Sequence, residues 1–201
     1  VFQGAKYSYF LMLLFALPLC LETKQILVLW LKIIPEYAVP FVRLTLISTM
    51  IFVLGNTLST AQSSTGKMKK MAIFTSLVTF LEFPLVYIFF YLKYSVICCY
   101  IIHIFIYSVL LFVKLLIVKE YVGIVIVEYL KEVLFKAFLV TLGAILLPII
   151  LYNMMDESLL RLCIVVFSSV IVSLLTIYVW GISKTERESI FFILRKYARK
   201  K

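Results

Sequence analysis

The chain has 201 residues, 64% of them apolar and 15% charged, with a mean hydropathy of +1.11 and a formal net charge of +10. A soluble domain runs roughly 45–50% apolar and about 25% charged, so this chain lacks the polar surface to clothe a water-soluble globule. A soluble enzyme, a disordered tail and a disulfide-stapled secreted domain are excluded. What remains is an all-α, polytopic membrane protein, because backbone polar groups in lipid must be satisfied within the chain.

Six hydrophobic segments follow in order. The first, Tyr7–Leu21, is uncharged, carries Pro18, and is expected to continue past Glu22 into a bent or interfacial extension over Gln25–Ile34, where Trp30 suits headgroup level. Pro35-Glu36-Tyr37 breaks the chain. The second segment starts near Ala38 and ends in polar turns, Asn56, Thr57, Ser59, Thr60 and Gln62, with Gly66 as the stop. The third, Met71–Leu92, carries Glu82 and Pro84, and a very short turn at Lys93-Tyr94 leads into the fourth, Tyr94–Val113, which holds His103. From Lys114 to Lys136 charges interrupt the apolar residues, and Glu132 with Lys136 makes a favourable i,i+4 pair. This predicts the end of the fourth helix and then an interfacial amphipathic helix over 117–136. Ala137–Met155, with Pro148, and Leu162–Ser183 are the fifth and sixth crossings. An uncharged run of about 20 residues spans the roughly 30 Å hydrocarbon core. The tail, 184–201, is expected to be a basic amphipathic helix starting at the Thr185–Glu188 capping box and lying on an anionic leaflet.

Six crossings put both termini on one side. Fifteen of the 20 Lys and Arg then fall on that side, and Lys24, Lys32, Arg43, Lys93 and Arg161 on the other. The positive-inside rule makes the richer side cytoplasmic. The same distribution argues against nucleic acid, since the charge is shared among loops on one membrane face. The four cysteines lie in apolar runs without a Cys-x-x-Cys pair and read as packing residues.

Catalytic constellations are scarce. There is one histidine, no complete Gly-rich phosphate loop, and no cluster of Cys, His or carboxylates at metal-ligand spacing, so neither a metal, a cofactor nor an enzyme is expected. Ionisable groups in the membrane are the better clue, because each costs at least about 2.5–3.5 kcal/mol to insert. Glu82 is the deepest: either a proton, cation or polar-substrate site, or a carboxyl hydrogen-bonded to a neighbouring helix. Arg43 could hold an anion such as a phosphate, or snorkel as an interfacial anchor. His103 reads more simply as a packed histidine. The polar run with Asn56 and Gln62 could line a path for a sugar headgroup or bind helices together.

Taken together, several motifs resemble one family. Ile34-Pro35-Glu36-Tyr37 with Phe41-x-Arg43-Leu44, then Ala61-x-x-x-Thr65-Gly66-Lys67-x-Lys69, Phe83-Pro84-Leu85-x-Tyr87, and Gly181-Ile182-Ser183-Lys184-x-Glu186-Arg187 stand in the order found in bacterial polysaccharide flippases, the Wzx-like members of the multidrug/oligosaccharidyl-lipid/polysaccharide exporter superfamily. Gly4-Ala5-Lys6-Tyr7-Ser8 also matches. The resemblance implies the two-bundle exporter fold, with residues 1–116 as four helices of the C-terminal lobe and 137–183 as two appended ones. The chain, which opens on Val1-Phe2-Gln3-Gly4, is accordingly expected to be a fragment. The implied function is transfer of undecaprenyl-pyrophosphate-linked oligosaccharide between leaflets of the bacterial inner membrane for O-antigen or lipopolysaccharide assembly. Its implied partners are that lipid-linked substrate, membrane lipids and polysaccharide-assembly proteins; Arg43, Glu82, Asn56 and Gln62, singled out above as polar or ionisable groups in membrane segments, are the expected substrate contacts. Glu82 and Lys93-Tyr94 depart from the family pattern. A cation-coupled multidrug exporter and a membrane enzyme such as a polysaccharide polymerase are the alternatives.

Overall fold

The computed structural model describes residues 1–31, 33–183 and 186; the expected tail helix lies outside them. The described residues are helical, without a strand. The helices are α1 (Phe2–Leu21), α2 (Thr23–Leu31), α3 (Ala38–Ser63), α4 (Lys69–Phe80), α5 (Glu82–Tyr91), α6 (Ile97–Val122), α7 (Ile126–Tyr129), α8 (Lys136–Met154) and α9 (Leu159–Thr176), with π-helical turns at Leu130–Phe135 and Ile177–Gly181. Grouped where they run on, they give six helices long and apolar enough to cross a membrane, Phe2–Leu21, Ala38–Ser63, Lys69–Tyr91, Ile97–Val122, Ile126–Met154 and Leu159–Gly181. The chain is a multi-pass α-helical membrane protein. Its outward side chains agree: Leu11, Phe15, Phe105, Leu146 and Phe167 are all about 60% exposed or more, positions that acyl chains cover.

Local chemistry sets the breaks. Pro84 has no N–H and its ring conflicts with the carbonyl four residues back, so the third span is interrupted at Leu81, between α4 and α5. The Lys93-Tyr94 turn closes with Lys93 in the left-handed region at φ 59° and the Tyr94 amide donating to the Phe89 carbonyl. The stretch 117–136 is not the single interfacial helix expected of it. Gly123, at φ 75°, caps α6 by donating its amide to the Lys119 carbonyl, and the chain restarts at Ile126. A residue without Cβ takes this left-handed cap at no steric cost. The charged residues before Gly123 belong to the end of the fourth span, and those after it to the start of the fifth.

α1 is the hub. It packs against α3 on one side and against α8 and α9 on the other, so the first and last helices share one core rather than forming separate units. Leu13, Leu17, Leu58, Leu115, Val118, Tyr129, Val133 and Val140 fill that core. Tyr129 donates to the Leu54 carbonyl at 2.8 Å, and the Tyr9 and Thr141 hydroxyls meet at 2.8 Å. α4 and α5 lean chiefly on α6 and form the least enclosed span.

Two glycines let the last span close on this core. A Cβ at Gly181 would lie 2.7 Å from the Phe10 ring, and one at Gly143 would lie 2.2 Å from the Trp180 ring. Phe10 is 2% exposed and cannot move aside, whereas Trp180 is 48% exposed and can swing outward. Gly181→Ala is therefore expected to destabilise by about 1–3 kcal/mol, the usual cost of overpacking, and Gly143→Ala by less. Thermal unfolding of the two variants in detergent checks the order, and a reversed order would refute this packing argument.

Candidate functional site: a carboxylate and an imidazole at a broken span

The break before Pro84 places Glu82 in the first turn of α5, facing α6. There its Oε1 lies 2.8 Å from Nδ1 of His103. Both side chains are about one-third exposed or less. At this distance the two groups share a hydrogen bond, which a proton on either of them can supply. By helical rise His103 sits about 9 Å inside the start of α6, so the pair lies within the membrane-spanning part of the chain.

The imidazole is also held by its own helix. Tyr107, one turn on, meets it edge to face with ring centroids 4.3 Å apart. Tyr107 in turn meets Phe52 of α3 at 5.5 Å. Lys114 places its ammonium 5.6 Å from the Phe52 ring. Nearer the beginning of α6, Tyr100 stacks on Phe41 at 4.6 Å, and Phe41 on Tyr37 at 6.0 Å. The seam between α3 and α6 thus carries a run of aromatic and ionisable groups, Tyr37, Phe41, Tyr100, His103, Tyr107, Phe52 and Lys114, with Glu82 docked on it from α5. Stacked aromatics give such a seam rigidity, and the ionisable groups give it a means of holding protons or a charged headgroup.

The other expected substrate contacts are dispersed. Arg43 donates from Nε to the Cys20 carbonyl at 2.8 Å and from Nη2 to the Leu21 carbonyl at 3.2 Å. It satisfies carbonyls that the end of α1 leaves without helical partners. Gln62 is fully buried and donates to the Lys67 carbonyl at 2.9 Å. Among the described residues its Oε1 has no hydrogen-bond partner. Asn56 is exposed on α3 between them. Arg43 and Gln62 stand at opposite ends of α3, about 28 Å apart by helical rise, so they do not share a site.

The deeply buried charges were not among the expected contacts. Arg161 donates to Glu22 through Nε at 3.1 Å and Nη2 at 3.2 Å, with its guanidinium 4.6 Å from the Tyr152 ring and a further contact to Gln25. Lys6 meets Glu186 at 2.6 Å. All four are under 10% exposed. The Arg161–Glu22 pair joins the first turn of α9 to the residue that caps α1, and Lys6–Glu186 joins the other end of α1 to a residue beyond the sixth span. Their partners were readable as opposite charges at the same end of the helix bundle, but which charge meets which depends on helix packing.

Ion pairs throughout respect the six-span alternation. Lys6–Glu186, Lys70–Glu120 and Lys136–Glu132 lie at one end of the bundle, and Arg161–Glu22 and Lys24–Glu157 at the other. The exposed Glu157 carboxyl is held below the usual range by its hydrogen bond from Lys24. At the first end, the two π-helical turns contribute to a groove of about 820 Å³ lined by Lys131, Phe135, Lys136, Leu139 and Trp180 among others. Among the described residues no three His, Cys, Asp or Glu side chains gather as a metal site. No family model, curated protein or solved structure matches the chain.

Proposed function

We propose that the chain works as part of a flippase, moving undecaprenyl-pyrophosphate-linked oligosaccharide from the inner to the outer leaflet of a bacterial inner membrane, with both termini cytoplasmic. The ordered motif resemblance supports this reading, and so does the excess of Lys and Arg at one end of the bundle. The observation that carries it furthest is the Glu82–His103 pair. Two ionisable groups in a membrane segment are expensive and are kept where a polar cargo or a proton is handled. Placed at a proline break in the least enclosed span, the pair can exchange a proton for a headgroup contact as the helices move. No bond in the cargo is made or broken.

The test is complementation in cells lacking their own flippase. The full-length protein that contains this chain is expected to restore surface polysaccharide, and the 201-residue chain alone is not. Glu82→Gln and His103→Phe are expected to lower it at least tenfold with the protein level and melting temperature unchanged. Full restoration by both variants would reduce the pair to packing. Arg43→Ala is a separate arm: unchanged polysaccharide removes Arg43 from the substrate path and leaves it as the cap of α1. The same pair also favours a second reading, a proton-coupled multidrug exporter. Restored efflux of a toxic dye, abolished by a protonophore and without any glycan at the surface, would select that reading instead.

A further inference from the structure

The end of the bundle that carries Lys6 holds a second feature, distinct from the Glu82–His103 pair. Lys67, Lys69 and Lys70 border a cavity of about 410 Å³ whose other walls are Ile73, Phe74 and Tyr121. It adjoins a second of about 250 Å³, with which it shares Lys70 and Phe74, and which runs on along Val113, Leu116 and Ile117 of α6. The first volume falls in the roughly 300–1,000 Å³ range of small-molecule sites.

The lysines are presented by a built loop. The Lys67 carbonyl accepts from buried Gln62, its amide donates to the Thr65 hydroxyl, and that hydroxyl donates back to the Gln62 carbonyl. The Lys67 and Lys70 ammoniums lie 5.8 and 5.6 Å from the centre of the Tyr121 ring. Lys70 pairs with Glu120. Among the described residues Lys67 and Lys69 make no ion pair. Two cations are therefore left over at the mouth of a groove whose floor is apolar. Below it, Ile73, Phe74, Leu77 and Leu116 are 46–61% exposed along the membrane-facing side of α4 and α6.

Cationic head and apolar floor, stacked along the membrane normal, match one molecule: an anionic glycerophospholipid. We propose that α4 and α6 form a specific phospholipid site, in which Lys67 and Lys69 bind the headgroup phosphate and one acyl chain lies along Phe74, Leu77 and Leu116. Lys70 is a positioning residue, tied to Glu120, that keeps α4 and α6 at the spacing of the groove. A zwitterionic lipid offers the same chains but no net charge, so the site discriminates by headgroup. Each basic residue near an anionic surface contributes about fivefold in affinity. The inference rests only on the chain being a membrane protein, and not on what it transports.

The experiment is native mass spectrometry of the full chain, titrated in detergent with phosphatidylglycerol and, separately, phosphatidylcholine. Wild type is expected to retain one phosphatidylglycerol at least tenfold more tightly than phosphatidylcholine. Lys67→Gln/Lys69→Gln is expected to erase that preference, and Lys67→Arg/Lys69→Arg to keep most of it, which separates lost charge from lost folding. Lys24→Gln/Lys93→Gln removes the same charge from the opposite end and is expected to change nothing. Equal loss in both glutamine doubles would mean general charge attraction and overturn the site. So would complete displacement of the lipid by millimolar inorganic phosphate, which would make it a free-anion site.

Discussion

Arg161→Met is expected to destabilise the bundle by about 3–5 kcal/mol, the cost of stranding one member of a buried ion pair. Glu22 is 1% exposed, and its two oxygens accept from the Arg161 guanidinium alone among the described side chains. With Arg161 gone the carboxylate must stay charged without a partner or take up a proton, and both cost free energy. The guanidinium also lies against Tyr152 and donates to the Met155 carbonyl, so the end of α8 loosens as well. Glu22→Met/Arg161→Met is expected to recover most of the loss, because two apolar side chains of similar volume suit a buried site at least as well as the pair does. Unfolding in mixed detergent micelles, followed by Trp30 and Trp180 fluorescence, measures both variants. A double variant no more stable than Arg161→Met would mean that the pair is a solvated anchor rather than a buried one.

The spans were legible because a membrane crossing needs only length and apolar composition, and both are written in the chain. The stop at Gly66 was legible because glycine tolerates positive φ; that Pro84 interrupts its span while Pro18 and Pro148 stay inside unbroken helices was not. The 117–136 stretch misleads for a physical reason. Lys119 and Glu120 before Gly123, and Lys131, Glu132 and Lys136 after it, give the charge density of a surface helix. They belong instead to the ends of two spans that meet at one turn. Glu82 and His103 each drew attention separately, and their meeting follows from symmetry: they stand eleven and nine residues from Lys93-Tyr94, so an antiparallel pair of helices brings them to one depth. Nothing so local links Glu22 to Arg161 or Lys6 to Glu186. Those contacts exist because α1 packs against the last span, and hydropathy carries no trace of which helices are neighbours.

Lys6→Met is expected to cost roughly 3 kcal/mol, at the low end for a broken buried pair, and to change the response to acid. Burial alone would raise the Glu186 carboxyl, but hydrogen bonds from Lys6 and the Ser183 amide outweigh it and hold it below its ordinary value of 4.5. A carboxyl depressed in the folded state stabilises fully above that ordinary value. The contribution is lost as pH falls below it and through the folded value. Wild-type stability from this group is accordingly flat from pH 8 to about 5 and declines under stronger acid. Glu157, also depressed by Lys24, titrates in the same window, so the informative quantity is the difference between wild type and variant. Glu186→Gln is expected to be less stable than wild type near neutrality and to converge on it below about pH 4. Parallel curves at every pH would show that Lys6 holds a neutral group. With both pairs in place, the sixth span is bracketed against α1, by Arg161 in its first turn and by Glu186 beyond its end, which sets its register along the bundle. The span broken at Pro84 is tied by ion pairs to α6, through Lys70–Glu120 and Glu82–His103, and by none to α1 among the described residues, so movement relative to the α1 core is expected there.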